Sequence, residues 1–458
     1  MNPTRRVYFV VILALSFLIL STAVSYATPP STAKGGHTSS GASGSSTAWY
    51  FADGYTGWQN YIAIRSCSQY SQQVDLYFYD SSSQIGHTSL SIGPSRRGTV
   101  YVNGVIGSNK EYSCTVYGEF GLVAERSIYA GNEGSCGTGS RTLINKDATN
   151  PWWCFGDVYS DSSSTSYVEV YNADLTRGAN MYVDAYNGGS DNNSKETIGW
   201  YMPPKTRRTA GFASGSPKNR VARVRSTGTN NFMAERSYVK GTMVASNGGT
   251  WRKQNDLIYF SEGYSSYPTW FVTGFTDGWL GSGGAYIRVD TQHIWNGGST
   301  SPAANWVYTG SSLSRSTSGV PSGTNYGTKA DRINFSQTPL NPYYYNTERT
   351  TQYGQWATSS EGRNGYDVGN KDFFFAECYT GHDVYLTFYN GSSYSSAQFN
   401  VWVTTDTADN WSFSITVGKV GSVRIQDMGI PWNRNCSIHV ALVGGRWPVS
   451  VERSSYFN

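Results

Sequence analysis

Charge is scarce in this chain: of 458 residues only 14% are Asp, Glu, Lys or Arg, while 38% are hydrophobic and 15% aromatic. The formal charge of +4 drops by two once Arg5 and Arg6 are set aside, and the remaining Lys and Arg are scattered. A nucleic-acid partner needs a concentrated basic face that releases counterions, so that class is excluded. Histidine is equally sparse. His37, His87, His293, His382 and His439 are dispersed, with no metal-ligand spacing and no Ser or Cys nucleophile motif beside them. No catalytic residue, metal or cofactor is therefore assigned, and the chain is not expected to be an enzyme. Helical periodicity is also missing beyond the first 27 residues, and Gly281-Ser282-Gly283-Gly284 reads as a hairpin turn because no strand-loop-helix surrounds it.

What is present is repetition. Four segments open on an aromatic, a small residue and an acid: Trp49-Tyr50-Phe51-Ala52-Asp53-Gly54, Phe155-Gly156-Asp157, Tyr259-Phe260-Ser261-Glu262 and Phe374-Phe375-Ala376-Glu377. Four Glu-Arg pairs close the units: Glu125-Arg126, Glu235-Arg236, Glu348-Arg349 and Glu452-Arg453. A spacing of about a hundred residues exceeds the ~20–50 of solenoid units and matches separate small domains, so beads on a semi-rigid rod are expected. The boundaries are 48–130, 150–240, 256–352 with a Ser/Gly/Asn-rich inserted loop at 294–328, and 372–458.

Within each unit, short runs such as Tyr61-Ile62-Ala63-Ile64 and Val74-Asp75-Leu76-Tyr77-Phe78 alternate apolar and polar residues and are punctuated by Gly, Ser and Asn. That pattern predicts antiparallel strands. Six or seven strands, each with one apolar face, bury it most simply as two packed sheets, so the expected fold is all-β, four tandem immunoglobulin-like β-sandwiches.

The N-terminus carries a separate message. Arg5 and Arg6 precede an uncharged run from Val7 to Val24, and Ser25-Tyr26-Ala27 offers the small-x-small pattern of signal cleavage. Residues 1–27 are read as a signal peptide, with membrane attachment only if that segment stays uncleaved. Residues 28–47 are Pro, Ser, Thr, Gly and Ala with almost nothing bulky, a flexible arm by composition. In a secreted, extracellular or surface chain an even set of cysteines reads as disulfides. Position pairs Cys67 with Cys114 and Cys378 with Cys436, which leaves Cys136 for Cys154. Five Asn-x-Ser sites, at Asn192, Asn334, Asn390, Asn410 and Asn435, permit glycosylation.

Neighbouring residues on a strand face opposite ways, so the closing Glu and Arg cannot both look outward. The expected structural ion pairs join each opening acid to the arginine of its own unit: Asp53 with Arg126, Asp157 with Arg236, Glu262 with Arg349 and Glu377 with Arg453. A second basic position, Arg96-Arg97, Lys205 with Arg207-Arg208, Arg315 and Lys419, is read as a solvated turn and edge, with an exposed basic row that binds acidic glycans as the alternative. Trp270, Trp279, Trp295 and Trp306, around the third unit's insertion, are the candidate glycan-binding patch.

The Trp-Tyr-Phe-Ala-Asp-Gly opening, the Gly-Pro-Ser-Arg centre and the Val-Ala-Glu-Arg-Ser ending of residues 49–129 resemble tandem repeats of bacterial secreted and cell-surface proteins. The resemblance implies a β-sandwich repeat on the cell exterior and brings no catalytic residues. Together these features point to an extracellular structural or adhesive protein, a filament or surface-layer subunit. Its expected partners are other copies, cell-surface components and glycans. Carbohydrate binding through exposed aromatics is the alternative.

Overall fold

The computed structural model describes residues 35–40, 42, 44–130, 133–139, 152–187, 195–241, 243–248, 257–261, 265–266, 269–277, 286–308, 311–335, 343–353, 356–361, 363–364, 371–392, 395–407, 409–445 and 448–457. Strands dominate, and two short helical turns, Val102–Ile106 and Ile425–Met428, are the departures from the all-β expectation among these residues.

The second and fourth repeats are each a sandwich of two four-stranded antiparallel sheets in one strand order. In the second repeat the first sheet runs Thr206–Phe212, Thr165–Asn172, Phe232–Lys240, Met243–Gly248, and the second runs Lys195–Met202, Ala179–Asn187, Lys218–Ser226, Trp152–Ser160. The fourth repeat repeats both orders, with Asp372–Phe375 as its opening strand and Val449–Phe457 as its closing strand. In the first repeat the chain does not break between the last two strands. One long strand, Ser113–Ala130, serves both sheets and merges them into a single seven-stranded one. The stretch read as a loop in the third repeat instead supplies strands Gly298–Ser299, Ala303–Tyr308 and Ser311–Ser316 of the common plan. Its small polar residues alternate along solvent-facing edges, a role that needs no apolar signature.

Period-two alternation sends one face of each strand inward. Met181, Val183 and Ala185 are fully buried in the second core, and Phe399, Val401 and Val403 are their counterparts in the fourth. Trp49 and Trp153 plug equivalent positions on the opening strands, with indole nitrogens donating to the carbonyls of Leu122 and Phe232 at 2.6 and 3.3 Å. Large aromatics with a satisfied polar tip suit such a site. The Tyr-Thr-Gly turn after the first opening strand returns in the fourth repeat: a Cβ on Gly57 would lie 2.2 Å from the Tyr55 ring, and on Gly381 2.3 Å from that of Tyr379.

The repeats do not form a rod. Each closing strand packs on the opening strand of the unit before it: Phe232–Lys240 on Ser46–Phe51, Tyr343–Tyr353 on Trp152–Ser160, and Val449–Phe457 on Leu257–Phe260. The fourth seam closes the series, because Ser113–Ala130 of the first repeat packs on Asp372–Phe375 of the last. The result is a ring.

Four hub strands line its centre. Glu133–Thr138, Met243–Gly248 and Trp356–Glu361 each follow a closing strand and pair with it as a hairpin. The fourth comes from the other end of the chain: Gly35–Ser40 pairs antiparallel with Val449–Phe457, Ser39 opposite Arg453. Each hub strand contacts at least two others, so the four form a closed set. For residues 35–40 this departs from the reading of 28–47 as a flexible arm. Low side-chain bulk cannot order a segment alone, but an unpaired sheet edge supplies backbone hydrogen bonds that do.

Candidate functional site

The recurring acids and arginines meet at the seams. Arg126 is 1% exposed and reaches the Asp53 carboxylate at 3.2 Å and Glu235 of the second repeat at 2.9 Å. Glu235 Oε2 also accepts the backbone N–H groups of Ala52 and Asp53, each at 2.7 Å, and Ser237 Oγ donates to Asp53 Oδ2 at 2.6 Å. The fourth seam has the same wiring. Arg453 contacts Glu377 at 2.9 Å within its own repeat and Glu125 of the first at 3.5 Å, while the Glu377 N–H donates to Glu125 Oε2 at 2.6 Å. Ser39 of the N-terminal hub strand joins it, donating to Glu125 Oε1 at 2.8 Å.

The third seam follows suit: Arg349 reaches Glu452 at 3.0 Å, and the Ser261 N–H donates to the same carboxylate at 2.7 Å. A phenylalanine of the opening strand lies beneath each guanidinium, Phe51 under Arg126, Phe260 under Arg349 and Phe375 under Arg453, at 5.6–5.8 Å. Burial alone lowers the Arg126 guanidinium, but Glu235 and Asp53 outweigh it and push it well above its ordinary value.

Two of the expected pairs are therefore present, Asp53 with Arg126 and Glu377 with Arg453. Asp157 and Arg236 are both buried in the second repeat. Glu262 lies outside the described residues, and Arg349 meets Glu452 of the fourth repeat. The sequence reading missed the closing glutamates. Glu125, Glu235 and Glu452 are at most 2% exposed because each crosses a seam to the preceding arginine. Their adjacency to Arg in every copy was the available signal.

The second basic position is also partly interfacial. Arg207 is 3% exposed, not a solvated edge, and its guanidinium meets Glu111 of the first repeat. Its backbone N–H donates to the Asp80 carbonyl at 3.0 Å.

The cysteines separate into three cases. Cys378 and Cys436 are buried with their sulfurs 2.7 Å apart, in contact but not joined as a disulfide. Cys67 and Cys114 are not joined. Cys67 lies in the loop after its strand beside Arg65, whereas Cys114 is fully buried at the start of its strand opposite Phe51 and Phe78. The Cys136 side chain lies outside the described residues, and Cys154 is buried beside Trp152.

The tryptophans do not assemble into one patch among the described residues. Trp279 and the Trp270 side chain lie outside them. Trp306 is 48% exposed with Arg288 over its ring at 5.9 Å, while Trp295 packs against the third core. Arg288 faces Trp306 across the sheet, and Trp295 is seven residues along the same strand, roughly 23 Å away at strand rise. Two Asn-x-Ser sites are also closed to modification in the fold: Asn390 and Asn435 are 0% and 4% exposed. No group of three or more His, Cys, Asp or Glu is placed to hold a metal among the described residues, and no described helix is long and apolar enough to cross a membrane.

No family model and no curated protein matches this chain. Among solved structures it is similar to the Thermotoga maritima protein 1070, at 16% identity over 21% of this chain and 94% of that one, with a TM-score of 0.20. The Anabaena sensory rhodopsin transducer aligns at 19% identity over 18% of this chain and 92% of that one, TM-score 0.17. A tetra-tandem repeat from the extending region of a large adhesion protein aligns at 12% identity over 93% of this chain and all of that one, TM-score 0.11.

Proposed function

We propose that this chain is a non-enzymatic structural or adhesive protein of the cell exterior, and that its working unit is the closed ring of four sandwiches. The observation that carries the reading is the seam network, in which carboxylates of one repeat are buried against the arginine of another. Buried charges are tolerated only where partners satisfy them, so the network favours one arrangement of the four repeats over a string of independent beads.

The location rests on sequence: the Val7–Val24 apolar run with its small-x-small ending, the low charge, and the resemblance to bacterial surface repeats. In that setting Cys378 and Cys436 form a disulfide. The ring then acts as the subunit that self-associates or docks on other surface components, in place of the filament rod the repeats alone imply.

Negative-stain electron microscopy of the purified mature chain, with protease shaving of intact cells, tests this. Compact rings and cleavage by external protease are expected. Extended rods would defeat the ring, and protection in intact cells would defeat the location.

A second reading, glycan recognition through an exposed aromatic, keeps Trp306 as its anchor because that ring is half open to solvent. A glycan array with Trp306→Ala as control separates the two.

A further inference from the structure

One seam is built differently from its equivalent, and the difference leaves a polar cleft. Between the second and first repeats, Arg207 closes on Glu111. The matching positions between the first and fourth repeats are Arg97 and Asn435. Arg97 corresponds to Arg207 because Arg97 stands opposite Arg65 as Arg207 stands opposite Tyr171, just after the turn in which Ser95 and Lys205 both take positive φ, 54° and 55°.

Asn435 corresponds to Glu111 on several counts. The two form the same isolated bridge, Tyr55 to Glu111 and Tyr379 to Asn435. Each follows an asparagine at φ 58°, Asn109 or Asn433. In both turns a threonine N–H donates to the preceding carbonyl, Thr56 to Lys110 at 2.8 Å and Thr380 to Arg434 at 2.9 Å.

Where one seam has a carboxylate, the other has a neutral amide. A cleft of about 430 Å³ lies there, with Arg96, Arg97, Asp406 and Asn435 in its lining and Leu90 and Ile92 as apolar wall. That volume falls in the ~300–1,000 Å³ range of small-molecule sites.

Three polar atoms of its lining lack a hydrogen-bond partner. Arg97 Nε, Asp406 Oδ1 and Asn435 Oδ1 are buried atoms without a hydrogen-bond partner, although Asn435 is only 4% exposed. The Asn435 amide nitrogen donates to Asp406 Oδ2 at 3.5 Å, so the acceptor left over is its amide oxygen. Buried polar atoms without a protein partner are few in native folds, and water, an ion or a ligand can meet them.

The donor set describes that partner. Two guanidinium groups offer paired N–H donors to a carboxylate, while Asp406 and Asn435 offer oxygens that need donors such as hydroxyls. Two arginines against one aspartate leave the lining one positive charge in excess, so a monoanion matches it better than a neutral sugar or a zwitterion. We infer that the cleft between the first and fourth repeats binds a carboxylated sugar, its carboxylate on Arg96 and Arg97 and its hydroxyls on Asp406 and Asn435. The inference adds a ligand to the ring and does not depend on where the ring is displayed.

Isothermal titration calorimetry of the purified mature chain with D-glucuronate and D-galacturonate tests it, with glucose and acetate as the neutral-sugar and bare-anion controls. Saturable binding of a uronate at least tenfold tighter than either control is expected. Arg97→Met should weaken it at least tenfold, and Asn435→Glu, which places a carboxylate where Glu111 stands in the neighbouring seam, should abolish it while leaving the melting temperature unchanged or higher.

In the wild-type chain, selective labelling should show the Asn435 side-chain amide resonance shifting with uronate, a readout that needs no variant to fold. No uronate binding at millimolar concentration, equal binding of acetate, or uronate binding with an unmoved Asn435 amide would each overturn the assignment.

Discussion

Arg126 and Glu235 belong to different repeats, yet their guanidinium and carboxylate meet at 2.9 Å with both side chains at most 3% exposed. A pair that would be ornamental at a surface becomes decisive here, because each partner has given up its water. Removing one member of a buried pair leaves an uncompensated charge, which costs about 3–5 kcal/mol, whereas replacing both by apolar groups is often neutral. Glu235→Gln should therefore lower stability by about that amount in urea unfolding, and Arg126→Met with Glu235→Leu should recover much of it. Additive losses in the double variant would sink the pairing.

The hub strand Gly35–Ser40 covers the edge of Val449–Phe457. A chain lacking residues 28–45 should expose that edge and associate in a concentration-dependent way, read by sedimentation velocity. A synthetic peptide spanning residues 33–44 should reverse the association. A truncated chain that stays monomeric and equally stable would show that the N-terminal strand does not close the ring.

Cys378 and Cys436 enclose a loop of more than fifty residues. The disulfide proposed for them should, once formed, stabilise the fourth repeat by about 4 kcal/mol in the chain-entropy model. Cys436→Ser, compared with the oxidised and reduced wild type by denaturant unfolding, should match the reduced protein; identical midpoints for all three would argue against the bond.

Asp184 is fully buried, with Arg223 at 2.7 Å, Arg225 at 2.8 Å and Thr197 Oγ1 at 2.8 Å. Burial raises its carboxyl, but hydrogen bonds from Arg225 and Arg223 prevail and bring it from 3.8 down to about 2. A depressed carboxyl contributes stability that is present above the unfolded value and lost as pH falls through the folded one. Asp184→Asn should cost about 2 kcal/mol at pH 7, and the gap to wild type should close between pH 4 and 2. Parallel stability curves through that range would refute the ion cluster.

His293 is depressed too, but by burial rather than by ion pairing. It is 5% exposed with Nδ1 2.9 Å from Thr328 Oγ1, and burial brings its imidazole from 6.5 down to about 4. The unfolded chain takes up its proton first, so stability is full above pH 6.5 and falls by about 3 kcal/mol as pH drops towards 4. His293→Gln should lose this slope in urea unfolding at pH 7, 5 and 4. An unchanged slope would mean that other groups set the acid response.

Much of the repeat was legible in the chain. The strands around Tyr61–Ile64 and Val74–Phe78 lie in Gln59–Ser66 and Gln72–Tyr79, because period-two alternation is a local consequence of the pleat. The opening acids and closing arginines also stood out, and Asp53 with Arg126 and Glu377 with Arg453 pair as their types require. The cleft was not legible. Arg96 and Arg97 read as an edge, since nothing in sequence places Asp406 and Asn435, more than three hundred residues away, across from them.

By itself, then, the sequence determined an all-strand module, its fourfold copying, and charged residues that had to be buried in partnership. Whether the copies stood in line or closed on themselves was decided only in three dimensions. Arg126, Arg349 and Arg453 each take a carboxylate from a neighbouring repeat, and the last sheet edge is completed by residues from the opposite end of the chain. Local periodicity carries no information about such long-range contacts, because their energy exists only once both surfaces have lost their water together.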